Sequence, residues 1–496
     1  MERVPKQIFP TTNRYPMVAA VIPFIAGVAL FDVVALPWWV LWGGFLLCLG
    51  LAAVGLKSRA GGLYIVAALM LFGGVIAELR SFESQIPTNR ALYLTINPED
   101  NPVIRKGFAV MPARITEWES EGKSHRADER INLYVDTLVK ADFGSRIEAL
   151  GRILPFPEKY GSYGRLMSRR GFAGTLFLHE EDIVKVENLE IQTLHSVAVE
   201  RLARLGLSGD VATIVGAMAA GDRRGMTPEL REAYARSGAS HVLAVSGLHV
   251  GIVFLLFNVL LVWLPLLRHG QIIRAVAVVV PIWLYAAMCG FSPSVVRAAV
   301  MFSALQVAVA TSSRYVSLNV LAATAFAMLV YRPDYLFDIS FQLSFVAVVA
   351  ILVWGVPLMR ALRTHRWWAD ALIATLVVGT VSSVATMPLV AHTFGTVSVV
   401  GILLNPIVIL CAYVIVVLAV VWVAMPFAPL ASFFGMLLSW VGSGLNFVVE
   451  GVARLEWSAT EISLPTWAVW IIYGIAIAIT AVARYLETKK SVNLPL

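Results

Sequence analysis

Apolar residues fill this chain in runs long enough to cross a lipid bilayer, and one region switches to a two-residue alternation of apolar and polar positions. A helix rises about 1.5 Å per residue, so about 20 apolar residues cover a hydrocarbon core. Tyr15 to Val34 meets that requirement, a second run ends near Leu56, and a third extends from about Leu63 to Leu79. Further spans are predicted near residues 241–263, 272–290, 294–312, 316–331, 337–356, 371–389, 399–424, 430–450 and 465–484. The total is about twelve. Asn405-Pro406 interrupts one long apolar run, which leaves two readings open: a half-helix followed by a span, or a simple kink.

Residues 81–207 read differently. Short runs at Ala109 to Thr116, Ile131 to Val139, Ile147 to Leu154, Gly171 to Leu178 and Ile183 to Leu194 predict strands. Ile131, Leu133 and Val135 alternate with Asn132, Tyr134 and Asp136, the period of a half-buried strand. Five such runs fit a small oligonucleotide-binding (OB-like) barrel as well as any other all-β module. Ser208 to Gly221 is too short to cross and predicts an interfacial or re-entrant helix capped by Ser208. Thr227-Pro228-Glu229 reads as a helix start, with a stop expected at Gly238.

Composition agrees with a bilayer: 58% of residues are hydrophobic, 14% are charged and the mean hydropathy is +0.76. Basic residues follow the pattern of cytoplasmic loops. Arg3, Lys6 and Arg14 precede the first span, Lys57 and Arg59 follow the second, and Arg268, Arg274, Arg314, Arg360, Arg363 and Arg366 fall in alternate later loops. The tail carries Arg484, Lys489 and Lys490, so both termini are expected in the cytoplasm and the β domain outside it. Much of the net +7 is then topological and says little about an anionic ligand. Cys48, Cys289 and Cys411 all lie in apolar segments, so no disulfide is expected, and no cleavable leader is evident. The fold class is a polytopic α-helical membrane protein with an inserted small all-β, OB-like extracytoplasmic domain. Its parts are membrane helices in 1–80, the β domain in 81–207, short helices in 208–240, a second helical domain in 241–486 and a tail in 487–496.

Four segments carry a family resemblance. They are Gly221-Asp222-Arg223-Arg224-Gly225, Ser237-Gly238-Ala239-Ser240-His241 continuing to Ser246-Gly247-Leu248-His249-Val250, Ser292-Pro293-Ser294-Val295-Val296-Arg297-Ala298, and Asp338-Ile339-Ser340-Phe341-Gln342-Leu343-Ser344-Phe345. In this order they resemble the ComEC/Rec2 competence proteins, over roughly residues 20 to 480. The resemblance implies passage of single-stranded DNA through the bacterial inner membrane, an OB-like outer domain, and partners that deliver and pull the DNA. Many relatives add a C-terminal metallo-β-lactamase-like domain; no His-x-His-x-Asp-His run occurs here, so a separate nuclease or a truncated chain is implied.

Several residues are candidates for the DNA pathway or gate: His241, Ser246, His249, Arg297, Asp338, Gln342 and Asn405. On a helix starting near His241, positions 241, 245 and 249 share a face, for a pore, for structural hydrogen bonds, or for Ser-His chemistry with a distant acid. Arg297 sits one turn into an apolar span, where an acid, a carbonyl or a passing phosphate is required; Asp338 is the expected partner. Asp222, Arg223 and Arg224 fit either a pore mouth that attracts phosphates or an ordinary interfacial turn. In the outer domain Arg152, Lys159, Arg165, Arg169 and Arg170 are interleaved with Tyr160 and Tyr163, the pairing that sequence-tolerant strand binding uses; solvated or headgroup-facing charges are the alternative.

No catalytic, metal or cofactor residues are assigned. No phosphate-binding loop of the Gly-x-x-x-x-Gly-Lys-Ser/Thr type is present, so a motor is expected to be a separate cytoplasmic protein, beside a periplasmic delivery protein and single-strand-binding proteins. The competing classes are a secondary transporter of a small anionic solute and a membrane-embedded hydrolase of lipid or cell-wall intermediates.

Overall fold

The computed structural model describes residues 15–34, 36–55, 59–80, 84–99, 102–105, 107–120, 122–137, 139, 144–156, 164, 167–188, 192–243, 245–311, 316–398 and 400–492. Helices α1 (Pro16–Val33), α2 (Trp38–Val54) and α3 (Arg59–Leu79) come first. Strands β1 (Ala91–Pro98), β2 (Val103–Arg105), β3 (Phe108–Ser120), β4 (Lys123–Asp136), β5 (Ser145–Leu154), β6 (Phe172–Leu178) and β7 (Ile183–Asn188) follow. Then come α4 (Leu194–Ala203), α5 (Gly209–Ala219), α6 (Pro228–Arg236), α7 (Gly247–Leu260), α8 (Gly270–Met288), α9 (Pro293–Thr311) and α10 (Ser317–Tyr331). Next, α11 (Ile339–Ala350) passes through a π turn into α12 (Val356–Ala361). The chain ends with α13 (Trp367–Phe394), the short β8 (Thr396–Val397), α14 (Val400–Ala424), α15 (Ala431–Ala453), β9 (Thr460–Glu461) and α16 (Thr466–Val492).

Nine of the described helical segments are long and apolar enough to cross a membrane. Every expected span falls on a helix, but three are shorter than a bilayer requires. These are α2 with 17 residues, α7 with 14 and α10 with 15. The chain is thus a polytopic helical membrane protein carrying a small β domain. It divides into two compact units, Met1–Val197 with Ser303–Asp338, and Ala198–Phe302 with Ile339–Leu496.

In the first unit α1 and α3 cross closely because glycine faces backbone. A methyl group on Gly27 would lie 1.9 Å from the Met70 carbonyl oxygen, and one on Gly73 would lie 2.3 Å from that of Phe24. Phe24 then meets Phe326 of α10 at 4.7 Å between ring centres. The β domain of this unit closes on itself: β1 pairs with β3, β3 with β4, β4 with β6, β6 with β5, and β5 again with β1. Only β4–β6 in that ring is parallel. Closure sends alternate residues inward, where Leu94, Ile115, Ile131, Leu133 and Ile147 are fully buried.

Two strand expectations need correction. Strand β1 was not among the five expected runs, although Leu92, Leu94 and Ile96 alternate as required. It is the strand that closes the ring. The last expected run, to Leu194, stops as strand at Asn188 and pairs outside the ring with β5.

In the second unit the short α5 is wrapped by apolar residues of α14 and α15, including Val408, Ile415, Leu438 and Leu445. Ser208 is its N-cap by position but makes no side-chain capping bond, whereas Thr227 does cap α6, accepting from Leu230 N at 3.2 Å. Pro406 does not break α14, which continues from Val400 to Ala424. The proline lacks the N–H that would have bonded to the Ile402 carbonyl, and the helix continues past that one missing bond. Helix α6 ends at Gly238, whose φ of +78° suits glycine and whose backbone nearly touches Gly401.

A Cβ on Gly238 would lie 2.8 Å from Gly401 Cα. Gly238→Ala is therefore expected to cost about 2 kcal/mol or more, from backbone strain plus overpacking. Gly206→Ala, with a similar φ of +68° but open space around it, should cost about 1 kcal/mol. Thermal unfolding of the detergent-solubilised protein checks this; equal losses would show that the contact with Gly401 contributes nothing.

Candidate functional site

The second unit buries polar side chains inside helices that are otherwise apolar. Ser246 ends the loop before α7 and caps it: its Oγ accepts from Leu248 N at 3.3 Å, while His249 Nδ1 accepts the Ser246 backbone N–H at 3.0 Å. This reciprocal cap starts the helix at Gly247. His241 therefore does not share a face of α7 with His249. It lies on a separate helical turn, Ser240–Val242, with Nδ1 3.2 Å from the Gly238 carbonyl. The earlier expectation of one helix from 241 fails because the cap at Ser246 sets the start.

His249 is fully buried. Because its Nδ1 accepts the Ser246 N–H, the neutral ring carries its proton on Nε2, which has no hydrogen-bond partner among the described residues. Ser246 Oγ lies 3.1 Å from the same Nδ1, the spacing of a nucleophile and a base. Capping accounts for this contact, since the one lone pair of Nδ1 already receives a backbone donor.

Arg297 lies on α9, in the second turn after Pro293, and is 2% exposed. Its Nη2 donates to Ser294 Oγ at 3.2 Å. Asn405, inside α14, donates Nδ2 to Ser383 Oγ of α13 at 3.1 Å. Tyr234 of α6 donates to Asn446 Oδ1 of α15 at 2.8 Å. Gln342 is half-buried in the first turn of α11.

The turn after α5 is organised by hydrogen bonds. Asp222 N reaches back to the Gly216 carbonyl at 3.1 Å and Gly221 N to that of Ala217 at 3.2 Å, the helix ending on a left-handed glycine with φ of +80°. Two more carbonyls near this buried end, those of Met218 and Ala219, accept from Tyr285 OH at 3.2 Å and Cys289 Sγ at 3.7 Å of α8 and its C-cap. Beyond the turn, Arg224 grips Asp222 with two parallel bonds of 2.9 and 2.8 Å, and Arg223 is exposed.

In the first unit the expected nucleic-acid arginines divide. Arg152 is exposed at the end of β5. Arg169 pairs with Asp32 of α1 and lies 4.1 Å above the Phe337 ring, and Arg170 meets Asp338 at 2.5 Å. Both cations thus tie the β domain to helical parts of the same unit. Lys159, Tyr160, Tyr163 and Arg165 lie outside the described residues.

An aromatic group on the outer face of the barrel was missed. Tyr134 of β4 lies 4.7 Å from Phe177 of β6, and Phe108 of β3 lies 6.0 Å from Phe177 and 5.9 Å from the His179 ring. Phe177 is 41% exposed. Each position is outward in its strand's alternation, a legible signal only once the strands are paired. On another outward position, Tyr93 donates to Glu148 at 2.9 Å, and that bond to the carboxylate pushes the phenol above its usual range. Among the described residues no three His, Cys, Asp or Glu side chains cluster as a metal site.

The fold and these sites define a membrane protein whose second helical unit buries polar groups. Comparison with known proteins names the group. Residues 218–488, more than half of the chain, match the family described as Competence protein, and the chain belongs to that family, the ComEC/Rec2 competence proteins. It is 27% identical over 203 residues to ComE operon protein 3 of Bacillus subtilis (strain 168), which covers 41% of this chain and 25% of the relative. It is 36% identical over 131 residues to an uncharacterized protein of Aquifex aeolicus (strain VF5), covering 26% of this chain and 30% of the relative. The matched stretches therefore span about a quarter to a third of these curated relatives. No solved structure matches.

The Arg170–Asp338 pair is expected to couple measurably. In a double-mutant cycle of Arg170→Gln and Asp338→Asn, thermal unfolding should report a coupling of about 1 kcal/mol, the size suited to a partly exposed pair. Strict additivity would mean that the contact is incidental.

Proposed function

We propose that this protein takes part in DNA uptake and conducts single-stranded DNA inward across the cytoplasmic membrane. The observation that carries the reading is Arg297, a buried cation inside an apolar helix of the family-matched region. A cation in that position requires an anion, a carbonyl or water, and a hydrated path that passes phosphates supplies the first and the last. His249, Asn405 and Asn446 add further buried polar groups to the same unit. His241, Ser246, Asp338 and Gln342 belong to the proposed path or its gate, with Asp222, Arg223 and Arg224 at its mouth.

The β domain is read as an OB-like barrel on the outer side. Its closed five-strand ring, with a single parallel pairing, supports that reading. Phe108, Tyr134 and Phe177 offer rings on which bases stack, and Arg152, Lys159 and Arg165, with Tyr160 and Tyr163 among them in the sequence, are the cations and further rings of the proposed strand-binding face. Basic residues in alternate loops support termini in the cytoplasm. A delivery protein outside, a motor and strand-binding proteins inside, and a separate nuclease complete the proposed system. Hydrolysis by Ser246 and His249 is the weaker reading, because their contact already serves as a helix cap.

Uptake of labelled DNA by cells expressing equal amounts of wild type or Arg297→Ala tests the proposal. A loss of about tenfold or more is expected, with partial recovery in Arg297→Lys, since one buried charge contact is worth more than 1.4 kcal/mol. Unchanged uptake by Arg297→Ala would remove Arg297 from the pathway.

A further inference from the structure

A cavity of about 310 Å³ opens where α12 meets the start of α13 in the second unit. Val356, Met359 and Ile373 form apolar walls, and Arg360, Arg363 and Asp370 stand at its rim. The acid is already engaged. Asp370 Oδ1 accepts from Thr364 N at 2.7 Å and Thr364 Oγ1 at 2.9 Å, and Arg363 Nε lies 3.8 Å from Oδ2. Arg360 forms no ion pair among the described residues, so the rim keeps one uncompensated positive charge.

The neighbouring surface gives the depth. Trp367 is 83% exposed and Trp368 54%, side by side at the first residues of a 28-residue apolar helix. Exposed indole rings at the end of such a helix sit at the boundary of headgroups and acyl chains. A cation on the rim, apolar walls below it and tryptophans at headgroup height together fit one amphiphile: an anionic phospholipid, with its phosphate on Arg360 and its glycerol and first methylenes in the cavity. We infer that this cavity is a binding site for the phosphate of an anionic phospholipid, with Arg360 as its principal ligand. The site shares no residue with the proposed DNA path, lying at the other end of the helical segment that begins near Gln342, and does not depend on that reading.

Two alternatives are weaker. A cation that merely snorkels needs no cavity beneath it, and a free phosphate has no use for the apolar walls.

Binding to the full-length protein in a zwitterionic detergent tests the inference, with short-chain phosphatidylglycerol, short-chain phosphatidylcholine and inorganic phosphate as probes. Phosphatidylglycerol is expected to bind wild type at least about tenfold more tightly than Arg360→Gln, while Arg360→Lys should stay within a few-fold of wild type. Arg454→Gln, which removes an exposed arginine far along the chain, should bind like wild type. Equal phosphatidylglycerol binding by Arg360→Gln would overturn the site. Equal binding of phosphatidylcholine would overturn the role of charge, and inorganic phosphate binding as tightly as the lipid would overturn the lipid as its source. Gel filtration of each variant separates a lost site from a lost fold.

Discussion

Hydrocarbon offers no water to a backbone amide, and that single constraint organises most of this molecule. Each spanning segment must satisfy its own hydrogen bonds, which only a helix does within one segment. The cost concentrates where helices are short. Helix α5 ends inside the second unit, and its last carbonyls are met by its own turn and by Tyr285 and Cys289. Helix α7 begins there, and Ser246 and His249 satisfy its first donors between them. Both short helices lie next to family motifs, at places where backbone ends and polar side chains gather in an apolar surrounding.

The same requirement acts on the β domain by another route. An open sheet leaves two rows of unpaired groups, and closure of β1 onto β5 removes them. Once the ring is closed, the alternation of each strand separates an aliphatic interior from an outer face. That outer face collects Phe108, Tyr134 and Phe177 from three strands, the β3–β4 hairpin and β6. Arg169 and Arg170 follow β5 yet are taken up by Asp32, Phe337 and Asp338. The cations that look most available in the sequence therefore contribute to holding the first unit together, and the rings that look like core residues are the ones displayed.

Much of the architecture was legible beforehand because it rests on properties that are local in sequence. Twenty apolar residues make a spanning helix whatever surrounds them, and Thr227-Pro228 starts α6 through contacts within one turn. The expected start at His241 shows where locality ends. Nothing in the apolar pattern distinguishes 241 from 247, and the decision falls to a hydrogen bond between Ser246 and His249. Strand β1 carries the same three-position alternation as β4, and its role as the closing strand appears only when both neighbours are in place.

The sequence alone thus determined the class of protein, the order of helical and β segments, and the four motifs that mark the family, because hydrophobic period and motif order need no partner to be read. Tertiary structure decided which polar residues share an environment. It set His241 apart from His249, gave Asp338 to Arg170, joined Asn405 to Ser383, and left Arg360 over a cavity. The Asp338 and Asn405 pairings join residues 168 and 22 positions apart, and in an apolar medium each polar group takes whichever partner the packing brings within reach.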